Sequence, residues 1–487
     1  MLTLKRSLNI LPLLSLAALL LAALLFAGPA RAADDFTNGL AAFNTGDYAL
    51  AAEHFAAAAQ AQPDEALPLA WLGLTQLRAG HSDEAVATLT KAIEIDPKMP
   101  EAHHNLGNAY WNLGKTQQAV EHYQEAVFLQ PHYVPPHYNL GTVFLALGDL
   151  ERAAGEFTVT VELDPKNAHA HNNLGVCLER SGKLDQAVQA YQKAVSLDEK
   201  NESFRLNLAL ALRAAGKTKE AEDQLRRLAA ANSKDPSVYL NLGAIRYDRG
   251  EHKSAAEAFR RAITLQPGNA AAHYNLGLCQ RQLGLRDEAK ESFRNAVAAD
   301  PDLANAQINL GAMELDDGNP AAAVEHFAAA LGSDPASYTA AFNLGLAYSA
   351  LGNDEDALRV WSALAERQPA DPAVHEALAS IYFRLHRYDD ARREYLALLD
   401  LRPRDAAANN NLGIIYEEFG QFDEAAAAYR AALAIDPKSA RAHNNLGVLH
   451  ERQGKLDQAR AEYQAALDAD PNLEDARRNL ERLKGEE

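Results

Sequence analysis

The sequence predicts an all-α solenoid of about thirteen helix-turn-helix units, and three observations predict it. Glycine returns at a strict 34-residue step, from Gly46, Gly80 and Gly114 to Gly454, with His386 standing in once. From Ala32 to Leu473, thirteen units of that length fit without insertion or deletion. Within a unit, apolar residues recur at i, i+3, i+4 and i+7, the spacing of one helical face. So short and strict a period means stacked supersecondary units rather than several globular domains.

Each element follows from its place in the unit, counting Ala32 as position 1. Positions 4, 7, 8 and 11 form the packing face of a first helix. Position 7 is Leu in twelve units, Asn38 excepted, and position 8 is Gly in eleven, Ala209 and Ala379 excepted. Position 20 is Ala in all thirteen, so bulk is missing where two helices cross. Gly at position 15 suits a left-handed C-cap. Acids that follow it, such as Asp83 and Glu84, favour the start of a second helix. That helix carries a large apolar residue at position 24, from Phe55 to Trp361 and Tyr463. Pro at position 32 stops it in eleven units, Glu199 and Ser233 excepted. Residues 474–487 read as a capping helix and tail. Leu480 keeps position 7 and Glu481 makes the closing helix polar where Gly is expected.

This pattern of Leu-Gly, a large residue, Ala, an aromatic and Pro within one 34-residue period resembles the tetratricopeptide repeat family. The resemblance covers residues 33–473 and implies a right-handed superhelix with a concave groove lined by first helices. Two units depart from it. Unit 6 (202–235) lacks Gly at position 8 and Pro at position 32, and unit 11 (372–405) lacks Gly at positions 8 and 15. Leu228, Leu364 and Leu398 replace the usual Ala at position 27. The reading is local repacking, with a change of curvature or a contact site as the sharper alternative.

Residues 1–32 stand apart. Lys5 and Arg6 precede an apolar run that Pro12 interrupts and Gly28-Pro29 ends, and Ala30-Arg31-Ala32 has small residues where a signal peptidase needs them. This is the layout of a secretory signal peptide, with cleavage expected after Ala32. An uncleaved anchor is the alternative, since Leu8 to Phe26 is nearly long enough to span a bilayer. No Cys lies near the cut for lipid attachment. The expected location is therefore periplasmic or extracellular, with no membrane insertion after cleavage. Cleavage removes three basic residues and no acid from a chain whose formal charge is −19. Such a field repels nucleic acid and anionic lipid, and no basic stripe offsets it.

Position 6 carries the candidate site. It is Asn in ten units: Asn105, Asn139, Asn173, Asn207, Asn241, Asn275, Asn309, Asn343, Asn411 and Asn445. Asn within a helix costs on the order of half a kcal/mol against Ala, so ten occurrences imply a positional reason. Position 6 lies off the packing face. Stacked helices sit about 8–10 Å apart, and an extended chain rises about 3.3 Å per residue. One amide would therefore meet roughly every third residue of a bound strand. An amide both donates and accepts, as a peptide bond does. Beside this row, position 5 offers Tyr138, Leu206, Leu240, Tyr274, Ile308 and Phe342. The array is most similar to the repeat region of O-linked N-acetylglucosamine transferases, whose units often read AHxNLG. That resemblance implies that the position-6 Asn residues line the groove and hold peptide backbone. A packing or inter-repeat role for the same residues stays open.

Other motifs read as structural. His103, His137, His171, His273, His375 and His443 all occupy position 4. On parallel helices they do not converge on a metal and read as packing residues. Cys177 and Cys279 share position 10 three units apart, too far for a disulfide, and read as buried thiols. Asp468-Ala469-Asp470 imitates a metal-binding DxD but sits just before the helix-stopping Pro471. No nucleophile motif or phosphate loop occurs, and the short segment 474–487 after the last unit holds no catalytic domain. The expectation is a non-catalytic scaffold without cofactors that binds a protein or extended peptide partner. An accessory subunit presenting substrates to a separate glycosyltransferase, and a membrane-tethered assembly factor, are the alternatives.

Overall fold

The computed structural model describes residues 30–485, which form 27 α-helices and no strand. The predicted signal segment lies almost wholly outside the described residues. The first helix, Ala30–Thr45, begins three residues before the expected cut. No helix among the described residues is long and apolar enough to cross a membrane.

Every unit is an antiparallel helical hairpin, as Pro100–Asn112 with Thr116–Leu129 in repeat 3. The final helix, Glu474–Gly485, closes the series and buries Leu480 and Leu483. Contacts divide the chain into two compact units, one ending at Ile245 and the other beginning at Arg246, within the first helix of repeat 7. The architecture is an all-α solenoid in each.

The Ala at position 20 is fully buried in every repeat, and the large residue at position 24 nearly so. The glycine at position 8 exists for that large residue. A Cβ on Gly107 would lie 2.6 Å from the ring of Tyr123, and one on Gly141 would lie 2.9 Å from Phe157. In repeat 10 the indole of Trp361 lies on Gly345 in the same way. The glycine thus admits a ring from the second helix of its own hairpin.

Position 15 takes the left-handed conformation in every repeat, with φ between 70° and 88° at the twelve glycines. His386 adopts φ 58° in repeat 11 and keeps the geometry at the cost of side-chain crowding. Repeat 6 ends its second helix differently. Asn232 takes φ 56°, and the Ser233 amide bonds back to Leu228 O, a Schellman-type stop in place of proline.

The joint between hairpins is closed by hydrogen bonds that the sequence analysis missed. In the seven repeats with Asp at position 31 the carboxylate accepts from the backbone N–H two residues on, as Asp96 from Lys98 at 2.9 Å. Position 4 then donates six residues back to the carbonyl at position 32. His103, His137, His171, His273, His375 and His443 all do so, at 2.9–3.2 Å. Gln307, Arg205 and Arg477 make the same bond. The other ring nitrogen often clasps the second helix, as His137 with Glu156 at 2.7 Å and His375 with Glu394 at 2.6 Å. Burial lowers the pKa of both rings, but the hydrogen bonds and carboxylate charge outweigh it and raise the net value. The position-4 histidines are therefore polar ties rather than packing residues alone. The carboxylates of the DxD imitation are likewise engaged, Asp470 with the Asn472 amide and Asp468 with Gln464.

Candidate functional site

The ten asparagines at position 6 all lie on first helices, but the structure divides them into kinds. In repeats 4 to 6 they are spent on the protein itself. Asn139 is buried and donates to His104 Nε2 at 2.9 Å and to Asn108 Oδ1 at 2.8 Å. The Tyr123 hydroxyl donates to the same Asn108 oxygen at 2.7 Å. His104 Nε2 thus accepts, and burial pushes its pKa down to about 3, so the ring is neutral. Further along, the amides chain together. Asn207 donates to Asn172, Asn172 donates to Asn173, and Asn173 donates to the Tyr138 hydroxyl. Repeats 11 to 13 repeat the device. Asn445 donates to Asn410, Asn410 to Asn411, and Asn411 to the Tyr395 hydroxyl.

A second kind is held by arginine. Arg213 donates to Asn241 at 2.9 Å and Arg281 donates to Asn309. The amide N–H groups of these asparagines turn back onto their own helix, to Ser237 O and Asn305 O. The third kind is open. Asn275 and Asn343 are half-buried and have no hydrogen-bond partner among the described residues. Asn105 also has none but is buried.

One pairing accounts for Asn139, Asn173, Asn207, Asn445 and the open Asn275 and Asn343, while Asn309 behind Tyr274 is taken by Arg281 and Asn411 behind Glu376 bonds Tyr395. The position-6 amide reaches position 5 of the preceding repeat. Where that residue is His104, Tyr138, Asn172 or Asn410, an acceptor waits. Where it is apolar, as Ile308 before Asn343, nothing accepts. The apolar residues at position 5 are placed accordingly. Tyr138 is buried, whereas Leu206, Leu240, Tyr274, Ile308 and Phe342 are half-buried. Tyr274 leans on Phe293 and Phe342 on Trp361, with ring centroids 5.8 and 6.0 Å apart. Repeats 8 to 10 thus present open or arginine-held amides beside apolar side chains, with Leu346 exposed next to them.

Repeats 1 and 2 have no amide in this row. Phe36 and Trp71 stand at positions 5 and 6 and join Phe43 and Phe55 in a buried aromatic cluster, centroids 5.5–6.5 Å apart.

Models of the tetratricopeptide repeat match residues 246–304, 274–338, 376–440 and 416–474, and a further one matches 314–381. The Cilia and flagella-associated protein 70 C-terminal domain model matches residues 30–274. The chain belongs to the tetratricopeptide repeat family. No curated protein matches it. Among solved structures, MamA is 28% identical over 33% of this chain and 95% of its own, with a TM-score of 0.32. YrrB, described as a TPR protein with an unusual peptide-binding site, is 24% identical over 38% of this chain and 96% of its own, at 0.35. PilF of Pseudomonas aeruginosa is 22% identical over 42% of this chain and 94% of its own, at 0.37.

Within this tetratricopeptide array both cysteines are free and buried, and burial pushes their thiols up to about 11. They are inert packing groups at physiological pH.

Proposed function

We propose that the protein is an exported, non-catalytic tetratricopeptide scaffold that holds an extended segment of a partner protein along the amide row of repeats 8 to 10. The observation that carries this reading is the pair of unpartnered amides at Asn275 and Asn343. A half-buried amide left without partners is costly unless something meets it. Water meets it in the free protein, and a peptide backbone offers the same donor and acceptor. Tyr274, Ile308 and Phe342 beside the row favour apolar side chains in the bound segment. Asn139, Asn173, Asn207 and Asn445 belong to the scaffold that fixes the geometry.

The test is photocrosslinking from position 346 in the full chain, with mass identification of the attached segment. Asn275→Ala with Asn343→Ala is expected to cut crosslinking by about tenfold, roughly 1.4 kcal/mol, without altering the fold. Asn173→Ala with Asn207→Ala is expected to reduce thermal stability and leave crosslinking to the folded fraction intact. The opposite pattern sinks the reading. Export rests on the leader, and a mature N-terminus at Ala33 is the expected result from mass spectrometry of the purified protein.

A further inference from the structure

Repeat 6 breaks the 34-residue pattern at both ends, because Glu199 and Ser233 replace the helix-stopping prolines that bound it. A recess of about 310 Å³ opens where the pattern fails. Lys200, Arg205 and Arg227 line it, with Leu228 beneath and Ala231 exposed at its mouth. Arg205 is the local version of the position-4 tie and is occupied. It donates to Glu199 O at 2.8 Å and to Gln224 Oε1 at 2.9 Å. The other two cations are available. Arg227 engages Asp223 through Nε alone, which leaves both terminal nitrogens free to donate. The Lys200 ammonium has no hydrogen-bond or ion-pair partner among the described residues, and its side chain is exposed.

The surroundings reinforce this. Repeat 6 carries seven basic and five acidic side chains in a chain of net charge −19. Lys219, Arg226 and Lys234 are exposed and without a partner among the described residues. Repeat 1, by contrast, has six acids and no base, and repeat 9 five acids and no base. At physiological salt, charge acts over about 8 Å. A short anionic group therefore meets attraction at repeat 6, and the adjoining repeats 5 and 7, with four bases against four acids and five bases against three, do not oppose it. Two acids in the recess narrow the choice further. Glu202 is satisfied by the Ser233 hydroxyl at 2.7 Å, and Glu199 is exposed at the rim. They oppose a phosphate dianion more than a single carboxylate.

We propose that this recess docks an acidic segment of a partner protein. An Asp or Glu carboxylate is held between Lys200 and Arg227, and an apolar neighbour rests at Ala231. The site is independent of the amide row.

The test uses the full chain and a fluorescein-labelled peptide of alternating Leu and Glu, with alternating Leu and Gln as its neutral twin. The acidic peptide is expected to bind about tenfold more tightly than the neutral one, and to weaken as salt rises from about 50 to about 500 mM. Lys200→Glu with Arg227→Glu is expected to remove that preference, with helicity by circular dichroism unchanged. Arg227→Lys retains part of it, and Asn275→Ala with Asn343→Ala leaves it untouched. Equal binding of the two peptides, no binding below about 1 mM, or full binding by the charge-reversed protein each overturns the proposal. So does tighter binding of a short DNA duplex or of phosphatidylglycerol vesicles that the same reversal abolishes.

Discussion

Repeats 4 to 6 and repeats 8 to 10 carry the same residue at the same position and use it oppositely. In the former, Asn139, Asn173 and Asn207 close onto His104, Tyr138 and Asn172. In the latter, Asn275 and Asn343 reach no acceptor and Asn309 is turned aside by Arg281. The recurring Asn does not by itself specify a role. Its role is set by what lies within its reach, chiefly the residue at position 5 one repeat earlier and, for Asn241 and Asn309, an arginine. The same backbone can therefore be made into a sealed seam or an open surface by a single side chain per repeat.

The largest way to break the contrast is Asn139→Ala. It removes two buried hydrogen bonds, to His104 and to Asn108, and leaves the Asn108 oxygen with the Tyr123 hydroxyl alone, which costs about 2 kcal/mol. A urea midpoint shift of that size is expected, and a shift under half of it would mean the network is not holding the repeats together. His104→Asn comes next. Position 5 is naturally Asn in repeat 5, so the acceptor for Asn139 survives. The native histidine is held neutral with its pKa near about 3, whereas the unfolded one takes a proton below about 6.5. Native stability therefore falls as pH drops from about 6.5, by about 2 kcal/mol at pH 5 on the scale of 1.36 kcal/mol per pH unit. The variant flattens this acid limb, and an unchanged pH–stability profile would remove His104 from it.

Ile308→Asn sharpens the comparison by moving the sealed arrangement into the open stretch. It supplies an acceptor for Asn343 on the pattern of Asn172 with Asn207. Lost apolar packing and the gained hydrogen bond offset each other to within about 1 kcal/mol. The expected readout is a weaker crosslink from position 346 and a downfield-shifted Asn343 side-chain amide by NMR. The smallest effect is Asn343→Ala, which removes no internal bond. Helix propensity alone predicts a gain of about half a kcal/mol, and a loss above about 1 kcal/mol would show that the amide is already engaged.

Much of the fold was legible because a repeat states the same constraint thirteen times. The 34-residue step, the position-24 core and the glycine turns all recur on the sequence and in space. The reason for the position-8 glycine was less so. A missing side chain signals close approach without naming the group that approaches, here the position-24 ring of the same hairpin. The histidines at position 4 share one register, which excludes a common metal but shows nothing of their ties. Their partners lie six residues back and nineteen ahead, a comparison between unlike positions. The candidate row was legible as a row, but its division into sealed and open parts required pairing positions 5 and 6 across neighbouring repeats. Both residues are plain in the sequence, but their 35-residue separation hides the pairing from any reading within one unit.

The joint between hairpins has a consequence for how such a chain can grow. At nine of the thirteen boundaries the joint is completed by residues from both sides. One unit supplies the carbonyl at position 32, with an aspartate at position 31 in six of the nine, and the next supplies the donor at position 4. A tandem copy of one whole period, begun anywhere in the unit, reproduces every one of these ties. A copy one residue shorter or longer breaks a tie at the first boundary it crosses. Length is thereby quantised, and lengthening by slipped replication is silent only in whole steps. Thirteen units without a single insertion or deletion are what such a rule leaves behind.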